Sequence, residues 1–154
     1  GTAYLTTSLL EGVVDHGTGR GIRSRGLRGP IAGKTGTTDD DYDLWFVGYT
    51  PELVAVVWVG YDEPREIGVP SSRGALPIWA DFLAEVSGPR VRGIFARPGA
   101  VERVEIDPVS GARALAGCPE RTPEFFLEGT APVKTCPKRS GDAGDGFFRR
   151  LFGS

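Results

Sequence analysis

Lysine, threonine and glycine stand together at Lys34-Thr-Gly-Thr37, and this run suits two chemistries that demand different structures around the lysine. In the first it closes a phosphate-binding loop, G-x-x-x-x-G-K-[ST], in which a strand leads through glycines into a helix whose first amides cradle phosphate. Counting back from Gly33 puts Arg28 where the first glycine belongs, and Gly29 falls one residue too close. The residues after Lys34 bring a glycine and the acidic run Asp39 to Asp41 to the place where such a helix must receive negative charge. In the second chemistry the four residues form the edge of an active-site sheet. Lys34 then presents a fixed positive charge, and Gly36, without a Cβ, lets a bound peptide lie close and exchange main-chain hydrogen bonds. The sequence favours this second reading.

Other chemically capable residues carry less. His16 stands at a helix end with no acidic or nucleophilic partner specified nearby, which suits a capping or solvent-facing role. Asp39 to Asp41 with Asp43 lack the spacing and glycine of a calcium loop and read as a solvated turn. Cys118 and Cys136 are too far apart for a C-x-x-C pair, and one histidine does not complete a tetrahedral site with them, so no metal and no cofactor is expected. Each cysteine precedes a proline in a loop-like stretch; a disulfide and two free thiols both fit the spacing. Trp45, Trp58 and Trp79 lie in apolar patterns and are expected in the core.

The elements that would position the lysine follow from periodicity. Ala3 to Val14 repeats apolar residues at helical spacing and stops at Gly17-Thr-Gly19. Gly19 to Gly29, rich in Gly and Arg, reads as an exposed connection to a strand starting near Pro30. Leu44 to Thr50 and Leu53 to Tyr61 are β-branched and aromatic and joined only by Pro51-Glu52, so they must pair antiparallel, and the link from Thr38 to Asp43 makes the same demand of the lysine strand. Both faces of this meander read as apolar, which predicts a three-layer α/β/α arrangement with an antiparallel sheet, its helices being the first one and Leu76 to Val86. Beyond Pro89 the texture changes to a small β-rich appendage, with a hairpin of Val101 to Ile106 and Ala112 to Leu115 about the turn Asp107-Pro-Val-Ser-Gly111. Residues 138–154 read as a flexible tail whose aromatic and arginine end, Phe147 to Phe152, is a frayed terminus.

Composition excludes some partners. A formal net charge of -2 gives no basic field for a phosphate backbone, so no nucleic acid is expected. The longest apolar run, Leu53 to Gly60, is too short to cross a bilayer. With Gly1 first and no methionine anywhere, the chain reads as cut from something longer.

Around Lys34 the sequence resembles the bifunctional class A penicillin-binding proteins. The similarity runs from Ala3-Tyr-Leu through Gly12-Val-Val and Gly17-Thr-Gly19 to Ala32-Gly-Lys-Thr-Gly-Thr-Thr38, and on through Trp45-Phe-Val-Gly-Tyr-Thr-Pro51, Val57-Trp-Val-Gly-Tyr-Asp62 and Pro77-Ile-Trp79 with Phe82. It implies a β-lactamase and D,D-transpeptidase-like fold, here incomplete, with residues 1–88 as the C-terminal portion of the transpeptidase domain, 89–137 as a Cys-containing appendage and 138–154 as the tail. It also implies acyl transfer on peptidoglycan stem peptides, inhibition by β-lactam antibiotics, an extracytoplasmic site, a missing N-terminal part that carries the membrane anchor, and cell-wall synthesis proteins as partners. Lys34 and Thr37 would be catalytic, the latter through its backbone N–H in the oxyanion hole, and Thr35, Gly36 and Thr37 would bind substrate.

The departures matter equally. The family's nucleophile motif is S-x-x-K, yet the residues three before Lys34, Lys134 and Lys138 are Ile31, Ala131 and Thr135, and its S-x-N motif has no counterpart in a sequence without asparagine. The chain therefore supplies one wall of an active site, and by itself is expected to be inactive. The rival reading is a non-catalytic peptide-binding or scaffold module of the cell-wall machinery.

Overall fold

A computed structural model describes residues 1–38 and 42–136. The acidic run Asp39 to Asp41 and the tail expected over 138–154 lie outside the described residues, as does Pro137. The described chain divides into two compact units, one of Thr6–Ala96 and one that joins Gly1–Leu5 to the chain from Arg97 onward.

Three strands form the sheet of the first unit: β1 (Ala32–Thr37), β2 (Leu44–Tyr49) and β3 (Val54–Val59), in the order β1-β2-β3. Both pairings are antiparallel, as the short links demand, with Lys34 opposite Val47 and Trp45 opposite Trp58. Register assigns the faces. Gly33, Thr35, Thr37, Leu44, Phe46 and Gly48 share one face with Ala55, Val57 and Val59, while Lys34 and Gly36 share the other with Trp45, Val47, Val54, Val56 and Trp58. On the first face, α3 (Ala75–Ser87) buries Trp79, Ala80 and Leu83 against Leu44 and Phe46. Pro77 occupies its first turn and Gly88, at φ +71°, ends it.

The second face departs from expectation. Trp45, Val47, Val54, Val56 and Trp58 stand between 39% and 68% exposed, so of the three tryptophans only Trp79 is a core residue. Apolar alternation specifies what a face prefers to touch; it does not place the touching partner within the same stretch of chain. The same holds for α3, whose Ile78, Phe82 and Val86 form an exposed stripe. β3 is an edge strand among the described residues.

The connection before β1 is not an exposed coil. A short helix, α2 (Gly21–Ser24), buries Ile22, and Leu27 and Ile31 follow it into the core with Val14 from the end of α1 (Thr2–His16). Arg28 N–H donates to the Pro89 carbonyl and Val91 N–H to the Arg28 carbonyl, both at 2.9 Å, and Gly29 between them has φ +104° and no room for a Cβ beside the Val91 carbonyl. Those contacts keep Pro89 to Ala96 with the sheet, and the second unit begins at Arg97, later than the change of texture at Pro89.

In that second unit β4 (Val101–Ile106) pairs along its length with β5 (Thr122–Leu127), antiparallel, while Ala112 to Leu115 contributes isolated bridges at Arg113, antiparallel to Ile106 and parallel to Thr135. Pro123 and Glu124 in Thr-Pro-Glu-Phe-Phe-Leu are types that sheets disfavour, which hides β5 from a propensity reading. The turn at Asp107 forms as read: its carboxylate accepts from Val109 N–H at 3.1 Å and from the Ser110 hydroxyl at 2.5 Å, and Gly111 closes it at φ +69°. Tyr4 packs edge-on against Phe125 with ring centroids 5.2 Å apart. Cys118 and Cys136 are joined in a disulfide.

Candidate functional site

β1 carries Lys34, Thr35, Gly36 and Thr37 as extended backbone followed by another strand, which removes the helix a phosphate loop requires. The glycine before the lysine has a packing task instead. Gly33 lies opposite Gly48, and a Cβ on it would fall 2.7 Å from Phe46 Cζ, so its absence admits the Phe46 ring beneath the strand. Gly36 differs: a Cβ there would meet only Trp45 Cβ at 3.4 Å, ordinary contact, so the space over Gly36 is left open by the fold itself.

Backbone alternation sorts the polar groups of β1. Thr38 N–H reaches the Asp43 carbonyl at 3.2 Å, and the Gly36 carbonyl is turned to the same side, toward β2. Between them, the N–H and C=O of Thr37, like those of Thr35, point to the opposite, outer edge, where no described strand pairs with β1. Lys34 Nζ curls over that edge and donates to the Thr35 carbonyl at 2.9 Å. The side chains divide: Lys34 and Gly36 rise from one face and Thr35 and Thr37 from the other, so the strand brings the four together only along its rim.

Two residues that sequence reading left without a role complete the neighbourhood. Thr18 Oγ1 lies 2.9 Å from Thr35 Oγ1, which explains why a loop threonine flanked by two glycines stands after α1. Ser71, 1% exposed, sits 2.7 Å from Thr37 Oγ1, donates to the Gly36 carbonyl at 2.5 Å and accepts from Trp45 N–H at 3.2 Å. Nothing in Pro70-Ser-Ser72 marks one serine as buried; the signal lies in the fold.

His16 is exposed in the last turn of α1. Among the described residues no group of acidic, histidine and cysteine side chains is arranged to hold a metal, and no helix is long and apolar enough to cross a membrane.

Residues 97–140 match the family model for the C-terminal domain of penicillin-binding protein 1A. The chain is 40% identical over 134 residues to penicillin-binding protein 1A of Pseudomonas aeruginosa, covering 85% of this chain and 16% of that protein. With the Aquifex aeolicus protein of the same name identity is 42% over 130 residues, 83% of this chain and 18% of the relative. Penicillin-binding protein 2D of Bacillus subtilis is 37% identical over 87% of this chain and 20% of its own length. The crystal structure of penicillin-binding protein 1A from Haemophilus influenzae superposes with a TM-score of 0.77 at 25% identity, covering 88% of this chain and 21% of that one. The chain thus spans about a fifth or less of the length of the relatives it matches.

Proposed function

The chain belongs to the class A penicillin-binding proteins, matching their C-terminal part, and from that premise we propose that β1 is the substrate-binding wall of a peptidoglycan D,D-transpeptidase site. In this reaction a serine hydroxyl adds to the penultimate D-alanine carbonyl of a stem peptide. The amide C–N bond breaks, the terminal D-alanine leaves as an amine, and the amine of a neighbouring stem displaces the serine. The serine comes from sequence other than these 154 residues, which contain neither S-x-x-K nor any asparagine.

The outward-facing rim of β1 carries the proposal. Lys34 supplies positive potential there, Thr35 with Thr18 and Thr37 line the end that receives the substrate carboxylate, and open space over Gly36 admits the peptide main chain. The Thr37 N–H, aimed at the same rim, is half of an oxyanion hole; a donor so placed is worth about 10²–10³ in rate. β-Lactams would acylate the same serine, since their carboxylate and strained amide imitate D-alanyl-D-alanine. The exposed face of Trp45, Val47, Val56 and Trp58 is covered, in this reading, by the rest of the transpeptidase domain, giving a three-layer arrangement and an extracytoplasmic location anchored elsewhere in the protein.

A chimera tests it: this chain replaces the matching segment of the Pseudomonas aeruginosa protein, and fluorescent penicillin labelling is followed in time. The chimera should label, Lys34→Ala should slow labelling by about two orders of magnitude, and the 154-residue chain alone should not label. A folded chimera indifferent to Lys34→Ala rejects the assignment.

A further inference from the structure

We propose that Ser71 is a positioning residue for this site, orienting the oxyanion donor of Thr37; the inference rests on the reading of β1 given above. Proton counting fixes the direction of each bond. A serine hydroxyl has one proton and two lone pairs. The Gly36 carbonyl, 2.5 Å away, takes the proton, because a carbonyl only accepts. Trp45 N–H at 3.2 Å donates to one lone pair, and Thr37 Oγ1 at 2.7 Å donates its own proton to the other. Ser71 Oγ is thereby saturated. It is also enclosed: the residue is 1% exposed, in a segment whose Pro70 carbonyl receives Arg73 N–H at 2.8 Å and Gly74 N–H at 3.1 Å.

The consequence passes through one peptide plane. The Gly36 carbonyl and the Thr37 N–H belong to the same planar trans peptide and point in opposite directions. The β1–β2 pairing turns that carbonyl toward β2, and Ser71 holds it there with a second bond, which aims the Thr37 N–H at the outer rim. Glycine at position 36 makes such a hold necessary, because no Cβ restrains the backbone dihedrals on that side of the peptide. Thr37 is clamped twice, through this plane and through its hydroxyl. With its hydroxyl engaged by Ser71, Thr37 presents its N–H at the outer rim.

A donor that wanders loses transition-state stabilisation before it loses ground-state binding. In the chimera described above, Ser71→Ala should therefore lower the first-order acylation rate constant by about tenfold or more while leaving the dissociation constant of the initial penicillin complex within about threefold. Ser71→Thr, which keeps the hydroxyl, should recover most of the rate. In the full 154-residue chain, Ser71→Ala should speed hydrogen exchange at the Trp45 amide. An acylation rate within twofold of the unsubstituted chimera overturns the proposal. So does a fall of rate and affinity together that Ser71→Thr fails to rescue, since that is the mark of a merely structural serine. Failure of the unsubstituted, folded chimera to label at all rejects the reading of β1 and this assignment with it, and is seen without any Ser71 variant.

Discussion

Gly33 and Gly48 face one another across β1 and β2, and each makes room for an aromatic ring: Phe46 under the first, Trp79 under the second. The two rings meet at 5.1 Å between centroids, and Trp79 Nε1 is bound to the Ala55 carbonyl at 3.0 Å, so neither has freedom to withdraw. The lysine-bearing strand is held flat on its core by the absence of two side chains.

Replacing Gly48 by alanine should accordingly be costly. The new Cβ would lie 2.5 Å from Trp79 Cζ2, and overpacking of this kind costs about 1–3 kcal/mol. Gly36→Ala, with 3.4 Å to its nearest neighbour, should change stability far less. Denaturant titration of the two variants side by side checks the contrast, and equal losses would show that the space over Gly36 is not open.

Much of this was legible beforehand and some was not, for reasons that differ by residue. Strand pairing follows from links too short for a crossover, and α3 from the helical periodicity of Leu76 to Val86. Trp45 and Trp58 look like core residues in the sequence because an apolar face has the same pattern whether its partner lies in this stretch of chain or outside it. Ile22 and Leu27, buried among arginines, carry no sequence signal because two residues make no period. The candidate motif was visible as four adjacent residues; Ser71, more than thirty positions away, touches it only through tertiary folding, which no local pattern records.

That exposed face has a physical consequence. Val47, Val54, Val56 and the two tryptophans present a contiguous apolar surface, and the outer edge of β3 adds backbone groups that no described strand pairs. The 154-residue chain on its own should self-associate with rising concentration. Val54→Lys with Val56→Lys, placing charge on the edge strand, should shift it toward monomer in size-exclusion chromatography. Identical elution of both proteins as monomers would mean that the face is covered in solution.

Cys118 and Cys136, 18 positions apart, are joined within the unit that contains the chain from Arg97 onward. Removing such a cross-link restores entropy to the unfolded chain worth about 3 kcal/mol. Reduction, or Cys118→Ala with Cys136→Ala, should accelerate amide exchange in β4 and β5 while leaving β1 and β2 unchanged. Uniform acceleration across all five strands would show that the two units do not open independently.

Glu11 on α1 gives a pH dependence whose sign is determined. Burial raises its pKa above the usual glutamate value, Asp15 one turn on adds to the rise, and Arg23 opposes it. A carboxyl whose pKa is higher folded than unfolded favours the fold while protonated; that contribution is complete below the unfolded pKa and is lost as pH climbs through the folded one. Glu11→Gln keeps the shape and removes the titration. Its melting temperature should therefore exceed that of the unsubstituted chain at about pH 7 and match it near pH 3, the difference opening as pH rises from the ordinary carboxylate range. Glu124, raised for the same reason of burial, remains in both proteins and leaves them a common residual slope. Thermal unfolding across that range checks the divergence, and an equal change of melting temperature with pH in the two proteins would show that Glu11 is ionised without penalty.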